Sequence, residues 1–326
     1  MSNALSLLNQ CDHYYVSPWE ILSIRGTDAM DLLNRILTLD TKRLEISRGS
    51  WAFLLNHRGQ VKQAMWLLKL SVDHFLAISE TGVAELADAI DMFVFSEDVH
   101  FSHLHESVCI YTSGNIKNPH QSENRWFSIP IRLFNHQEDH PSQESLLIGP
   151  HSELTELKLS SLSESEFTKH RITTKGALPS REYRSGTPLD VSLVGISEGK
   201  GCYPGQEAIE RTIALSRPAQ VTLGALISFE SVSELDELLS RSDHNHEESP
   251  PLALFEQNDE EKRGREIGLL TSLMSPLSLD DETAPSLIAI IKLKNRVAQF
   301  EDRLSCYLDL KGSDPGAQIK ISISKR

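Results

Sequence analysis

Two apolar segments joined by a short polar turn constrain the fold more than any other feature of this chain. WAFLL (51–55) and VKQAMWLLKL (61–70) have the composition of β-strands, and Gly59 lies in the turn NHRGQ between them. This arrangement predicts a β-hairpin. A helix precedes it, and a strand, a second helix and another strand are predicted after it. That order favours an antiparallel α+β fold over a wound parallel sheet.

The other elements are predicted from their periodicity. GTDAMDLLNRIL has apolar residues at helical spacing, with Thr27 as the expected N-cap, and TGVAELADAIDMFVF carries one apolar face. FLAIS (75–79) and SVCIYT (107–112) read as strands. After Lys200 the segments AQVTLGALISF, REIGLLTSLM, SLIAIIKLK and AQIKISISK are strand-like, which predicts a small barrel or sandwich.

Composition limits the possible environments and partners. The 326 residues carry a formal net charge of -14, whereas a duplex-binding protein needs a clustered basic face. No apolar run approaches the roughly 20 residues of a membrane span, and the N-terminus has no signal-peptide pattern. The four cysteines form no C-x-x-C pair, which fits a reducing cytosol. We expect a bacterial cytoplasmic protein without direct nucleic-acid or membrane partners.

The segment KGCYPGQE (200–207) concentrates reactive side chains in an irregular turn. Gly201 and Gly205 flank Cys-Tyr-Pro, and GQEAIERTIAL then predicts a helix, so Cys202 lies just before a helix N-terminus and close to Lys200. The positive helix end and the ammonium would both favour a thiolate. These local features fit a reactive cysteine, and they equally fit a tight turn in which the cysteine is present only because it is small.

As a whole, the segment resembles the K-G-C-Y-x-G-Q-E signature of the YgfZ family at all eight positions. These are folate-binding proteins tied to iron–sulfur cluster assembly and repair, and relatives of the glycine-cleavage aminomethyltransferase (T-protein). A weaker resemblance covers about residues 25–300. It rests on the segments LLNRILTLDTKRL, GSWAFLLNHRGQV, RITTKGALP, TPLDVSL and GREIGLLTSLMSP.

The resemblance implies an α+β fold: a T-protein-like ring of two mixed α+β portions around a central channel, plus a C-terminal β-barrel. It divides the chain into an N-terminal α+β folate-binding-like domain (1–135), a second α+β portion with the KGCYPGQE loop (136–216) and the barrel (217–326). The barrel domain would carry an acidic insertion at 230–251, which we expect to be an excursion between strands.

The function implied by the resemblance is that of a tetrahydrofolate-binding accessory protein in iron–sulfur cluster assembly or repair. Its partners would be iron–sulfur client or assembly proteins, with tRNA modification as an indirect link and no stably bound metal. The residues carried over as the functional cluster are Cys202, Lys200 and Tyr203. Those carried over or considered as folate contacts are Lys200, Tyr203, Gln206, Glu207, Arg211 and Asp190. Arg211 and Glu207 are also spaced for a surface ion pair.

The sequence departs from the T-protein pattern at several positions. The stretch GQVKQAMW (59–66) has no carboxylate where the T-protein has its functional aspartate, so aminomethyltransferase activity is not expected. Leu39 and Ser192 replace asparagines of the family pattern, and Asp190 replaces a glutamate.

Two further functions remain open at the level of sequence. One is a folate-dependent one-carbon transfer enzyme, with Asp190 as acid or base; the other is a non-catalytic module that docks a basic partner through the acidic segment 230–251. The residues His100, His103 and His105 have no common metal-ligand spacing, so we expect exposed histidines there. Trp51 and Trp66 are predicted on paired strands in the core or a channel wall.

Overall fold

The structure, a computed structural model, describes most of the chain. The described residues are 13–113, 127–131, 144–152, 162–173, 177–183, 186–215, 218, 220–241, 252–257, 263–273, 286–300, 303–309 and 318–325. Cys11, His244 and His246 lie outside them. The chain divides into two compact units. The N-terminal unit is Met1–Phe167, Tyr183–Pro188 and Ser192–Arg211, and the barrel unit is Thr168–Glu182, Leu189–Val191 and Thr212–Arg326.

A five-stranded antiparallel sheet forms the centre of the N-terminal unit. Its strands, in spatial order, are β3 (Arg48–Leu55), β4 (Val61–Ser71), β5 (His74–Ser79), β2 (Glu20–Arg25) and β6 (His100–His103). The predicted hairpin is confirmed: β3 pairs with β4, with Trp51 opposite Trp66. Gly59 in the turn has a φ of 75°, a conformation that glycine adopts without a steric penalty.

Two helices pack against one face of this sheet. They are α1 (Ala29–Ile36) and α2 (Val83–Asp91), and both bury the apolar face that the sequence predicts. The prediction that Thr27 is the N-cap of α1 is wrong. Asp28 occupies that position, and the amide and hydroxyl of Thr27 both donate to the carboxylate of Asp98, at 3.0 and 2.9 Å.

A second antiparallel sheet in the same unit has the order β1-β7-β9-β8. Its strands are β1 (His13–Ser17), β7 (Ser107–Ser113), β9 (Glu144–Pro150) and β8 (Phe127–Ile131). Helix α3 (Glu164–Thr173) follows. Its start is fixed by a capping box, in which the hydroxyl of Ser163 accepts from the amide of Glu166 while the carboxylate of Glu166 accepts from the amide of Ser163.

The barrel unit contains a closed six-stranded barrel, which confirms the predicted C-terminal β-barrel and the α+β class. Its strands, in order around the barrel, are β10 (Gln220–Phe229), β13 (Ser286–Lys294), β12 (Arg263–Leu273), β11 (Leu252–Gln257), β14 (Arg303–Asp309) and β15 (Gln318–Lys325). All neighbouring strands run antiparallel, and their apolar side chains fill the interior.

The segment 230–251 lies between strands β10 and β11, as predicted, and its first half contains a helix that the sequence analysis does not predict. Residues Val232–Arg241 form helix α5, while 242–251 lie outside the described residues. Ser231 and Glu234 form a capping box at its start, and Leu235 and Leu238 are buried in the barrel core. Within the described part of the chain, no helix is long and apolar enough to cross a membrane.

Candidate functional site

The predicted reactive cysteine lies in an exposed position immediately before a helix. Cys202 precedes helix α4 (Gln206–Leu215) by four residues, and its side chain is accessible. Cys109 and Cys306, by contrast, are fully buried, and burial raises the pKa of each thiol to about 12. Of these three cysteines, Cys202 is therefore the one that an external reactant can reach.

Lys200 extends in a different direction from the one that the sequence suggests. Its side chain is buried, and its ammonium donates to the carbonyl oxygens of Asn34, at 2.7 Å, and of Leu37. Both carbonyls belong to the C-terminal end of α1, where helix carbonyls lack intrahelical partners. Burial lowers the pKa of Lys200 to about 8, and the carboxylate of Asp40 acts in the opposite direction. The ammonium thus bonds to the backbone of another segment.

Tyr203 lies beneath Lys200. The ammonium nitrogen is 4.9 Å from the centre of the tyrosine ring, which allows a cation–π interaction. The ring is buried, and this burial raises the pKa of the phenol to about 12. The nearby carboxylate of Glu210 acts in the same direction with a smaller effect. Lys200 and Tyr203 therefore form the buried base of the loop, while Cys202 between them faces outward.

Thr38 connects the chain after α1 to the segment that leads into the KGCYPGQE loop. Its hydroxyl donates to the carbonyl of Gly195 at 2.7 Å and accepts from the amide of Phe53 at 3.1 Å. The amide of Ser197 donates to the carbonyl of Thr38, and the hydroxyl of Ser197 accepts from the amide of Asp40. Thr38 is fully buried, so neither hydroxyl bond has water as a substitute.

Two glycines allow the loop to approach the hairpin closely. Gly195 has a φ of 86°, and an added Cβ would lie 2.7 Å from the carbonyl oxygen of Trp51. Gly205 has a φ of 80°, and a Cβ there would overlap the carbonyl oxygen of Asn56. At Gly201, beside Cys202, a Cβ would meet nothing within 4 Å. We name residues 195–205 the signature loop: it is packed at both ends and open at its tip.

The first turns of α4 carry the other predicted ligand contacts at the surface. Glu207 and Arg211 form an ion pair, with Nη2 and Oε1 2.6 Å apart, and both side chains are largely exposed. This agrees with the surface pair that their spacing predicts. Gln206, the first residue of the helix, is partly exposed.

Asp190 belongs to the barrel unit, where it is buried. It ends a short 3₁₀ turn (Pro188–Asp190), its carboxylate accepts from the amide of Gln220 at 3.2 Å, and it lies 3.6 Å from the ammonium of Lys292. Burial lowers the pKa of Lys292, although the carboxylates of Asp190 and Glu182 act against it. Asp190 is thus one half of a buried ion pair.

The barrel unit contains a second buried ion pair, between Arg171 and Glu182, which is not among the residues singled out from the sequence. The carboxylate of Glu182 accepts from Arg171, at 3.1 Å, and from the hydroxyls of Thr271 and Ser272, at 3.0 and 2.6 Å. The ammonium of Lys292 donates to the carbonyl of Glu182. Arg171 and Glu182 are 11 positions apart, but Thr271, Ser272 and Lys292 lie 89 to 110 positions from Glu182, so no local pattern could have predicted the whole network.

An aromatic stack lies within the N-terminal unit. Trp66 is sandwiched between Trp19 and Trp51, with ring centres 4.6 and 4.2 Å away, and Trp51 also contacts Tyr183. The placement of Trp51 and Trp66 in the core is confirmed. The indole N–H of Trp66 is buried and has no acceptor among the described residues.

Of the histidines on β6 and the following turn, His100 and His105 are exposed as predicted, whereas His103 is half-buried. His100 is exposed and its ring is 3.0 Å from the carboxylate of Asp98, while the rings of His103 and His105 have centres 3.6 Å apart. In the part of the chain that the structure describes, no group of histidine, cysteine or acidic side chains could hold a metal ion.

Comparisons with known proteins identify the fold. The sequence matches no protein-family model, and no curated protein is similar to it. The structure is similar to the crystal structure of glycine cleavage system aminomethyltransferase T from Bartonella henselae, with 15% sequence identity and a TM-score of 0.64. The similarity covers 98% of this chain and 88% of that chain. The chain therefore has a T-protein-like fold.

Proposed function

We propose that this protein is a tetrahydrofolate-binding accessory protein of iron–sulfur cluster assembly or repair, of the YgfZ type, acting through Cys202. The observation that carries the proposal is the exposure of the Cys202 thiol at the tip of a loop whose neighbouring residues Lys200 and Tyr203 are buried. The eight-residue signature and the T-protein-like fold support the same function.

The chemistry proposed for Cys202 needs a second molecule. A thiol that has lost its proton supplies one thiolate ligand to iron, and a cluster held by four ligands needs three more. Cys109 and Cys306, the other two cysteines among the described residues, are buried and cannot provide them. We propose that the remaining ligands come from a client or assembly protein, with the cluster as cargo rather than as a resident cofactor.

Tetrahydrofolate is proposed as the bound small molecule. The buried N–H of Trp66 fits such a ligand, because folates carry carbonyl and ring-nitrogen acceptors and because an unpaired buried donor is costly. Glu207, Arg211 and Asp190 are each engaged in ion pairs, and Tyr203 lies against Lys200. We therefore propose Trp66 as a folate contact in addition to the residues carried over from the resemblance.

The one-carbon transfer alternative has less support. Strand β4 carries no carboxylate, and Asp190, the candidate acid or base, is buried against Lys292. An acid that exchanges protons with a substrate must reach it, directly or through one water.

The interaction-module alternative concerns the acidic segment 230–251, and deleting that segment cannot test it. Deletion would remove Leu235 and Leu238 from the barrel core, so any loss of function could follow from unfolding. The exposed Asp236 on α5 offers a cleaner test, since Asp236→Asn removes a charge without removing core contacts.

The first experiment is an anaerobic calorimetric titration with tetrahydrofolate of the wild type, Cys202→Ala and Trp66→Phe. The wild type and Cys202→Ala should bind with similar affinity, because the thiol acts after binding. Loss of one hydrogen bond in Trp66→Phe should weaken binding by about five-fold, equivalent to about 1 kcal/mol. If the wild type does not bind, the folate part of the proposal is wrong.

The second experiment tests the role of the thiol in cells that lack this protein, with the activity of iron–sulfur enzymes as the readout. The wild type should restore that activity, and Cys202→Ser should not. Cys109→Ser serves as a control for the loss of a cysteine that is not accessible. Full restoration by Cys202→Ser, or by a chain with no accessible thiol, would refute the assignment of Cys202.

A further inference from the structure

We infer that Lys200 and Thr38 are positioning residues that hold the loop carrying Cys202 against the end of helix α1. The inference rests on the proposed function in one respect, since it takes Cys202 as the acting residue. It assigns to Lys200 a role different from activation of the thiol, and it adds Thr38, which the signature does not contain.

The first attachment is made by Lys200. Its ammonium reaches two carbonyls at the C-terminal end of α1, those of Asn34 and Leu37, and its third direction faces the ring of Tyr203. An ammonium has three donors, so these contacts account for the group. A positive charge at a helix C-terminus is also favourable for the helix. The side chain therefore fixes the position immediately before Gly201 and Cys202.

The second attachment is made by Thr38, which bonds to the loop at Gly195, five residues before Lys200. The hydroxyl joins the carbonyl of Gly195 to the amide of Phe53, and the backbone of Thr38 pairs with both Phe53 and Ser197. Thr38 lies two residues after the end of α1. The bonds made by Lys200 and Thr38 therefore attach two points of the signature loop, Lys200 and Gly195, to the same short segment (34–38).

Between these attachments and the close packing of Gly205 on the hairpin, only the tip of the loop is left open. Gly201 would tolerate a Cβ without any contact within 4 Å, and Cys202 is exposed. The thiol is thus presented from a fixed base. Presentation in a fixed geometry reduces the entropy that binding or ligand exchange would otherwise lose.

The experiment measures the mobility of a nitroxide spin label attached to Cys202, in a full-length Cys11→Ser background so that labelling is selective. The variants are Lys200→Met, Thr38→Val and the conservative Thr38→Ser. Lys69→Met is the matched control. Lys69 is also a buried lysine that donates to a backbone carbonyl near the end of α1, that of Thr41, at 2.9 Å, but the hydrogen bonds of its ammonium go to Thr41 and Met30 rather than to the signature loop.

The label in the wild type should give a spectrum dominated by a slow component. Lys200→Met and Thr38→Val should lose that component, whereas Thr38→Ser and Lys69→Met should keep it. Unchanged spectra in the first two variants would overturn the inference. So would an equal loss in Lys69→Met, because it would indicate general loosening. Thr38→Val keeps the test decisive if Lys200→Met does not fold. The readout needs neither folate nor a cluster, so it is independent of the proposed function.

Discussion

The ammonium nitrogen of Lys200 lies 2.7 Å from the carbonyl oxygen of Asn34, a residue 166 positions earlier in the chain. This bond joins the KGCYPGQE segment to the end of helix α1, which lies in LLNRILTLDTKRL, another of the segments that carry the resemblance. It also changes the chemical meaning of Lys200, because a lysine bonded to helix carbonyls acts on the position of its neighbour.

The charge of Lys200 should make stability depend on pH in a defined window. Its pKa is lowered to about 8 in the folded protein, whereas an unfolded lysine has a pKa near 10.5. Between these values the unfolded state binds more protons, so the contribution of Lys200 to the free energy of unfolding should rise with pH. Urea titrations of the wild type and Lys200→Met at about pH 7 and about pH 9.5 isolate the effect. A difference that falls with pH would contradict it.

Gly205→Ala should destabilise the N-terminal unit by about 1–3 kcal/mol. The residue has a φ of 80°, and a Cβ would overlap the carbonyl of Asn56, so both backbone strain and steric overlap contribute. Gly201→Ala is the control within the same loop, since its Cβ would meet nothing within 4 Å, and it should change stability by about 0.5 kcal/mol or less. Chemical denaturation measures both. Equal effects would mean that the close approach of Gly205 is unimportant.

Removal of one carboxylate should have very different consequences at a buried and at an exposed Arg–Glu pair. Glu182→Gln should cost about 3–5 kcal/mol, because it removes a negative charge that lies 3.1 Å from the buried guanidinium of Arg171. Glu207→Gln should cost about 0.5 kcal/mol or less, because Glu207 and Arg211 are exposed. The midpoints of thermal unfolding provide the comparison. A large loss in Glu207→Gln would point to a further partner for that carboxylate.

Asp190→Asn should lower stability whether or not Asp190 has a role in chemistry. The substitution leaves the ammonium of Lys292 in the barrel unit with less compensation, at a cost of about 3 kcal/mol. The double variant Asp190→Asn/Lys292→Met removes both charges and should recover part of the loss, as a double-mutant cycle would report. Additive losses would show that the two groups are not coupled.

The elements that depend on local pattern were predictable from sequence. The hairpin follows from two apolar segments around Gly59, and helix α4 follows from the spacing in GQEAIERTIAL. Four of the six barrel strands, β10, β12, β13 and β15, follow from strand-like segments after Lys200, whereas β11 and β14 are not predicted. Each depends on neighbours within about a dozen positions, which is the range over which periodicity carries information.

The starts of helices α3 and α5 each carry a local sequence signal that the predictions above do not use. Ser163 with Glu166, and Ser231 with Glu234, have the spacing of capping boxes, and both mark real helix starts. In the second case the acidic composition of 230–251 outweighed the apolar pattern of Leu235 and Leu238. The helix that carries these two leucines is therefore not among the elements predicted from the sequence.

The contacts that define the base of the candidate site could not be predicted in the same way. The bond between Thr38 and Gly195 spans 157 positions, and nothing around either residue identifies the other. The motif places Lys200 two positions before Cys202, but the direction of the Lys200 side chain depends on where α1 ends in space. The fold decides that direction; the motif does not.

The closed barrel also has a consequence for the order of events during synthesis. Strand β15 (Gln318–Lys325) pairs with both β10 and β14, so it completes a ring that begins about a hundred residues earlier. Until the ribosome releases β15, strands β10 and β14 each present an unpaired edge to other nascent chains. The barrel is therefore vulnerable to edge-to-edge association until β15 has emerged, at a stage when the segments that form the N-terminal unit have already been synthesised.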